Sequence, residues 1–364
     1  MRLLMTSDTV GGVWRFTQEL TSGLLEAGDA VALVSFGREP STTQQIECDR
    51  LHALWGESFL YVSCAAPLEW MRDNHRAFDQ GAAVLARVSR EFEAELLHTN
   101  QFCFGATRLG IPTAITAHSD VLSWARCCRG AELEDSEWLA RYCALVQRGL
   151  DAADVVTAPT AWMMQALGEG FRLPSEHHVI PNGRSVGVQS PAGRSLRAVT
   201  AGRLWDEAKD MALLGLVRSP MPLVVAGEDE CDGVRVGVLK GVESHGILSA
   251  QAILQLFASS AVYVCTSRYE PFGLAPLEAA LCGCAIVARD IESLREVWED
   301  AALYFHDPGE LSAVLTRLYE DPEFLRAYKR RAEQRAQMFS REQMVMRYRK
   351  MYTSLLDKEY ACVS

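Results

Sequence analysis

The chain has 364 residues, 49% of them hydrophobic, and a formal net charge of −11. That length suits about two domains with full cores, and the acidic balance excludes a nucleic-acid partner, because phosphate backbones need a basic face. No apolar run reaches the roughly eighteen residues that a membrane-crossing helix needs.

Charge is unevenly spread. Residues 1–185 carry fifteen Arg, no Lys and twenty-three Asp plus Glu, an acidic half ill-suited to docking on anionic lipid. Residues 331–364 carry seven basic and four acidic residues, which reads as the solvated face of a helix. The opening Met1 to Asp8 meets an acidic residue too early for a signal peptide and is expected to form a buried strand. Eleven cysteines are scattered without metal or redox spacing, with Cys127 and Cys128 adjacent and Cys282 and Cys284 flanking a glycine. Free thiols in a reducing cytoplasm are the expectation.

In chain order, Leu3–Ser7 is a short apolar run ending at Asp8, followed by Gly11-Gly12. Phe16, Leu20, Leu24 and Ala27 then recur at helical spacing, and Gly28 stops the helix. Ala30–Val34 is a second buried strand, which completes a βαβ unit with a parallel sheet. Strands follow at Glu95–His98, Ile111–Ala117 and Val155–Ala158, then a helix at Trp162–Gly168. Pro174, Pro181-Asn182-Gly183, Gly187, Pro191 and Gly193 crowd one stretch and mark a domain boundary. Beyond it the alternation restarts. Strands are expected at Arg197–Ala201, Pro222–Ala226, Val262–Thr266 and Ala285–Ala288. Helices are expected at Met211–Val217, Ile253–Ala258 and Leu277–Leu281, with one long charged helix from about Pro322 to Lys358. Two doubly wound α/β halves account for the pattern, and their ligands should bind just after the strands.

Four clusters lie there. Gly202-Arg203-Leu204-Trp205-Asp206-Glu207-Ala208-Lys209 follows a strand. The Arg203 fork and the Lys209 ammonium suit phosphate oxygens and a departing diphosphate; equally, two surface cations can bridge to Asp206 or Glu207. Ser267 to Glu278 runs Ser-Arg-Tyr-Glu-Pro-Phe-Gly-Leu-Ala-Pro-Leu-Glu and opens a helix, with Pro276 in its first turn. Gly273 lets backbone amides approach a ligand, and the helix N-terminus favours an anion. Glu270 and Glu278, read as flanking the turn with Glu278 in the first helical turn, can accept from paired sugar or ribose hydroxyls. An acid near a helix start is also favourable with no ligand. His118, in Thr116-Ala117-His118-Ser119-Asp120, ends a strand and reads as a cleft residue or as a satisfied core histidine. Gly11-Gly12 fits a phosphate turn or an incomplete dinucleotide turn. Trp14, Trp55, Trp70, Trp124 and Trp138 can stack on a sugar, although core packing explains most tryptophans.

Glu270-Pro-Phe-Gly-Leu-Ala-Pro-Leu-Glu278, continued by Ala279-Ala280-Leu281-Cys282-Gly283, resembles the paired-glutamate signature of the retaining glycosyltransferases of family four. Further likenesses run in order along the chain: Gly11-Gly12, His118, Ile180-Pro181-Asn182-Gly183, Gly202-Arg203 with Lys209, Ser293-Leu294-Arg295-Glu296-Val297, and Tyr348–Leu356. The resemblance implies the GT-B fold: two Rossmann-like domains facing across a cleft, with the last helix crossing back. Residues 1–183 plus a helix over about 341–358 would form the acceptor domain, and 184–340 the nucleotide-sugar donor domain.

By the same resemblance, Arg203 and Lys209 hold the donor diphosphate with amides near Gly202, Phe272, Gly273 and Leu274. Glu278 takes the ribose, Glu270 the transferred sugar, and His118 lines the sugar subsite. Gly12 passes close to the phosphate or acceptor. The backbone around Lys240-Gly241-Val242 is expected to meet the base, which puts Val242 among the donor-binding residues. Retention is explained by front-face attack, so no protein nucleophile is nominated, and no metal or cofactor is expected because the family needs no Asp-x-Asp site. The donor would be UDP-, GDP- or ADP-linked. The acceptor would be a saccharide, a natural product or a polysaccharide precursor, with a lipid-linked acceptor left open. The alternatives are an epimerase of the same fold, whose family members lack the glutamate pair, or a non-catalytic nucleotide-sugar binder. Two departures stand out: Asp210 replaces the glycine that often follows the lysine, and Arg184-Ser185 replaces a hydrophobic–acid pair.

Overall fold

The computed structural model describes residues 1–187, 193–231, 234–235 and 239–363; the boundary residue Pro191 lies outside them. The chain folds as two compact units. One contains 1–125, 131–183 and the chain from Arg341 onward; the other contains 126–130 and 184–340.

The first unit alternates β1 (Arg2–Asp8), α1 (Gly12–Glu26), β2 (Ala30–Phe36), α2 (Thr42–Trp55), β3 (Phe59–Ser63), α3 (Ala77–Glu91), β4 (Leu96–Thr99), β5 (Thr113–Thr116), the start of α4 (Val121–Arg129, assigned to the second unit from Arg126), α5 (Glu137–Ala152), β6 (Val155–Ala158), α6 (Ala161–Gly170) and β7 (His177–Val179). Its strands pair in parallel in the order β3-β2-β1-β4-β5-β6-β7. β1 and β2 are buried along nearly their whole length, because helices cover both faces of a doubly wound sheet. Local chemistry sets the helix starts: Ser41 and Gln44 form a reciprocal capping box on α2, while Ser136 and Thr160 cap α5 and α6.

The second unit contains β8 (Ser195–Ala201), β9 (Leu223–Ala226), the short antiparallel pair β10 (Glu230–Cys231) and β11 (Val234–Arg235), β12 (Val242–Ser244), α7 (Ala250–Ala258), β13 (Ser260–Cys265), α8 (Leu274–Leu281), β14 (Ala285–Arg289), α9 (Glu292–Trp298), β15 (Ala302–Phe305), α10 (Pro308–Glu320) and α11 (Pro322–Ala336). Its main sheet runs β12-β9-β8-β13-β14-β15, again parallel. Asp307 and Asp321 cap α10 and α11, each with proline in the first turn.

Two expected helices differ. Met211–Leu216 is a 3-10 turn, since the left-handed Asp210 before it, Gly215 within it and Pro220 soon after it leave too few residues for an α-helix. The long closing helix is two: α11 and α12 (Arg341–Val363), separated by a 3-10 turn at Gln337–Phe339. That turn is tied down within the second unit, where the Phe339 ring meets Phe272 edge-on at 5.4 Å and the Phe339 carbonyl accepts from the Arg184 amide at 2.9 Å.

α12 belongs to the first unit. The Tyr348 hydroxyl lies 3.1 Å from Thr116 Oγ1 and 3.3 Å from Thr157 Oγ1, and the Tyr352 hydroxyl lies 2.6 Å from His98 Nδ1. Burial, then the neighbouring His118, push the His98 pKa down to about 3, so this cluster is neutral and held by hydrogen bonds. No helix among the described residues is long and apolar enough to cross a membrane.

Glu69, on the loop between β3 and α3, is 3% exposed. Its carboxylate accepts from the Phe102 amide at 2.9 Å and from Cys103 Sγ at 3.6 Å. Burial raises its pKa to about 7. The folded state therefore binds this proton more tightly than the unfolded chain. The resulting stabilisation, up to about 3 kcal/mol, is complete below the unfolded value near 4.5 and is lost as pH rises through about 7. Relative to Glu69→Gln, wild-type Tm should fall between pH 5 and pH 8; parallel Tm curves would show that the carboxyl is not strained. Gly149 on α5 provides a second test, since a Cβ there would lie 1.8 Å from the Phe102 carbonyl oxygen. Gly149→Ala should cost about 3 kcal/mol or more in urea unfolding.

Candidate active site

In a doubly wound sheet the chain winds outward in both directions from one point, and the loops leaving the two strands there part and open a crevice. In the second unit that point falls between β8 and β13. The β8 loop carries Gly202, Arg203 and Lys209; the β13 loop carries Ser267 to Gly273. Topology therefore brings together residues about sixty positions apart.

The two loops are cross-tied. Lys209 Nζ donates to Glu270 Oε2 at 2.5 Å, and Ser267 Oγ donates to the same oxygen at 3.2 Å. Thr266 Oγ1 donates to the Lys209 carbonyl at 2.6 Å, and the Arg268 amide to the Ala208 carbonyl at 2.8 Å. Ser293 Oγ, from α9, holds the Glu270 carbonyl at 2.7 Å. Burial pulls the Lys209 ammonium down, but the Glu270 charge and hydrogen bond outweigh it and hold its pKa above the ordinary lysine value. Lys209 is thus fully charged at neutral pH. Glu270 Oε1 has no protein partner among the described residues.

Arg203 is paired within its own loop. Its Nε and Nη2 donate to Asp206 Oδ2 at 3.2 and 2.5 Å, and its guanidinium lies 5.2 Å from the Trp205 ring centroid. Its side chain remains 34% exposed, enough to exchange partners.

Gly273 is left-handed at φ 92, and a Cβ there would fall 2.7 Å from Pro276 Cγ and 3.4 Å from Glu270 Cγ. Glycine is required for the turn to close against Glu270. It starts α8, which has no side-chain cap and no acid in its first turn, so the amides after Phe272 point outward with the positive end of the helix dipole. Glu278 is the fifth residue of α8 and so lies in the second turn, a correction to its expected place. There it is 9% exposed, and its Oε1 accepts from Arg184 Nε at 2.6 Å. Its Oε2 has no protein partner among the described residues.

Val242, expected among the donor-binding residues, lies away from the carboxyl ends of the strands. It pairs with Leu223, which pairs with Ala198, so it stands at the amino end of its strand, about 10 Å below the level of Ala201. At the carboxyl end the corresponding stretch is Gly246-Ile247-Leu248, where the Gly246 carbonyl accepts from the Gly227 amide at 2.8 Å and Ile247 is 76% exposed. A glycine shortly before the Ser249 cap of α7 was the available signal.

Sequence reasoning also missed the anchoring of the lysine loop. Asp210 is left-handed at φ 44. Its Oδ2 accepts from Arg268 Nε at 2.8 Å and from Arg289 Nη2 at 2.5 Å. A glycine position thus holds an acid whose charge locks the ends of β13 and β14 to the loop.

His118 and Gly12 lie in the first unit. Gly12 opens α1, which has no side-chain cap. His118 is half-buried, with Phe16 edge-on at 4.5 Å and its Nε2 2.8 Å from Asn100 Oδ1. Asn100 Nδ2 donates to the Thr6 carbonyl at 2.6 Å, so its Oδ1 is the acceptor and His118 Nε2 bears the proton. Burial holds the imidazole below its ordinary pKa, hence neutral. Among the tryptophans, Trp14 is buried with Nε1 on Glu47, and Trp138 Nε1 donates to the Met71 carbonyl; Trp70 is 42% exposed.

Two family models match the chain: Glycosyltransferase Family 4 over residues 10–186 and Glycosyl transferases group 1 over residues 216–335. Alpha-maltose-1-phosphate synthase of Mycolicibacterium smegmatis is 26% identical over 314 residues, 72% of this chain and 80% of that protein. The fold is that of sucrose-phosphate synthase of Thermosynechococcus elongatus (TM-score 0.76, 16% identity, 98% of this chain and 100% of that one). It is also that of Anabaena HepE solved in complex with UDP and glucose (TM-score 0.75, 18% identity, 97% and 99%).

The strained, doubly paired Asp210 yields a stability test. Asp210→Ala removes the carboxylate and keeps a Cβ in the left-handed region, whereas Asp210→Gly removes only the carboxylate. Glycine should be the more stable of the two by about 1 kcal/mol in chemical denaturation; equal midpoints would show that the backbone relaxes there.

Proposed function

This chain belongs to glycosyltransferase family 4, with the group 1 glycosyl transferase signature in its second unit, and from that premise we propose how it handles its donor. It is a hexosyltransferase with the GT-B fold and uses a nucleotide-sugar donor.

The second unit is assigned the donor, and the first unit, with α12, the acceptor. Arg203 and Lys209 take the diphosphate together with amides at Gly202, Phe272, Gly273 and Leu274. As the bond to the sugar breaks, negative charge grows on the departing diphosphate, and fixed cations stabilise that state more than the ground state. Those cations carry the role here, so the scheme needs no resident metal. Glu270 anchors Lys209 with one oxygen and offers Oε1 to the transferred sugar. Glu278, anchored by Arg184, offers Oε2 to the ribose. The backbone at Gly246-Ile247-Leu248 takes over the base contact assigned to Val242. On the first unit, His118 is assigned a sugar contact through its unprotonated Nδ1, and Gly12 a phosphate or acceptor contact.

Transfer with retention follows the family scheme. The acceptor hydroxyl attacks the anomeric carbon on the face that the diphosphate leaves, and the leaving phosphate oxygen takes the hydroxyl proton. The observation that carries the reading is the division of labour in the two acids, each with one oxygen on a cation and the other unpartnered among the described residues. The donor is UDP-, GDP- or ADP-linked, and the UDP and glucose bound by the Anabaena neighbour support the first of these. The acceptor is a saccharide, natural product or polysaccharide precursor, an assignment supported by the sugar phosphate in the mycobacterial relative's name. Among the described residues nine of the cysteines are free thiols, which suits a reducing cytoplasm.

Thermal unfolding with UDP, GDP and ADP should show one diphosphate raising Tm, because it binds the native state alone. Arg203→Ala and Lys209→Ala should each lower kcat about a hundredfold or more, roughly 3 kcal/mol, with unchanged circular dichroism. Near-normal turnover in both variants would falsify the assignment of the clamp.

A further inference from the structure

We infer that Arg184 is a positioning residue of the nucleoside subsite: it fixes Glu278 so that a single carboxylate oxygen addresses the ribose hydroxyls, making the site selective for ribonucleotides over 2′-deoxyribonucleotides. The inference rests on the assignment of Glu278 to the donor ribose and adds a residue that the family pattern does not supply, since a hydrophobic residue often stands at this position.

The pair is deeply placed. Arg184 is 7% exposed and Glu278 9%, and Nε meets Oε1 at 2.6 Å. Taking both charges out of water is costly, and an apolar pair of similar volume is commonly as stable or more so. Stability therefore does not account for an arginine here. What the guanidinium adds is direction. It is planar and always charged, and its backbone is anchored by the amide bond to the Phe339 carbonyl at 2.9 Å. A carboxylate held at one oxygen by such a group cannot rotate freely.

The second oxygen is the one left to act. Glu278 Oε2 has no protein partner among the described residues, and the side chain keeps 12% of its surface exposed. A carboxylate oxygen has two lone pairs, so it can accept from the 2′- and 3′-hydroxyls of one ribose. Removing the 2′-hydroxyl deletes a hydrogen bond to a charged acceptor. Without Arg184 the carboxylate can turn, and the 2′-hydroxyl then no longer finds an oriented acceptor.

The contrast with Glu270 supports this. Glu270 is held by Lys209, whose flexible ammonium is itself assigned to the diphosphate, so that pair can rearrange when the donor arrives. Arg184 has no assigned ligand contact, and its planar group is suited to staying in place.

The test is calorimetric titration of UDP, GDP and ADP, each beside its 2′-deoxy counterpart, into wild type, Arg184→Met, Arg184→Lys, Glu278→Gln and the Arg184→Met/Glu278→Gln double variant. Wild type should bind its preferred diphosphate about tenfold or more tightly than the 2′-deoxy form. In Arg184→Met that ratio should fall to within about twofold, mostly by weakening of the ribonucleotide, with partial recovery in Arg184→Lys. The double variant should match Glu278→Gln, as expected for a residue acting through its partner. An unchanged ratio in Arg184→Met, or equal weakening of both nucleotides, overturns the inference while leaving the donor assignment standing. If Arg184→Met does not fold, Arg184→Lys decides by the same ratio, a wild-type value again overturning the inference. Wild type that binds none of the six nucleotides overturns the donor assignment itself.

Discussion

The contact between Lys209 and Glu270 is the one on which the rest of the second unit's site depends. It joins the loop after β8 to the loop after β13 at the point where the strand order turns outward. A half-buried ion pair contributes little to stability by itself. Its value is positional, because it sets the ammonium and the free carboxylate oxygen in a fixed relation. The supporting bonds from Ser267, Thr266 and Ser293 all converge on these two residues. Preorganised groups of this kind need no reorganisation as charge develops, which is where catalytic electrostatics gains its size.

Both candidate phosphate cations are paired with acids. Exchange of those acids for a ligand is energetically open. A partly exposed pair such as Arg203 with Asp206, at 34% and 10% side-chain exposure, is worth about 1 kcal/mol or less. A diphosphate offers two charges and several acceptor oxygens to the same guanidinium and wins on Coulomb terms at any common effective dielectric. The acids hold the cations in place and compete only weakly.

The first unit is built on different physics. Its turning point, between β1 and β4, is held by neutral hydrogen bonds among Thr6, Thr99, Asn100 and His118. Behind them His98 stays neutral against the tyrosines of α12. A neutral, directional network suits hydroxyl groups rather than phosphates.

Much of this was legible in the chain. Buried parallel strands read as apolar runs, and α1 showed its 3.6-residue period from Phe16 to Leu24, because burial on both faces or on one stripe writes itself into composition. The loops that follow β8 and β13 were likewise visible as breaks rich in glycine and charge. Pairing was not. Nothing in the letters says that Arg203 rests on Asp206 or that Arg184 reaches Glu278, ninety-four positions away. Nor do they say that Asp210 holds two arginines, or that Val242 stands at the amino end of its strand while Gly246 lies beyond the carboxyl end. Sequence periodicity reports which residues are buried and which local turns are possible. Strand order and register, decided by the packing of the whole unit, determine which loop ends meet and hence which charges face one another.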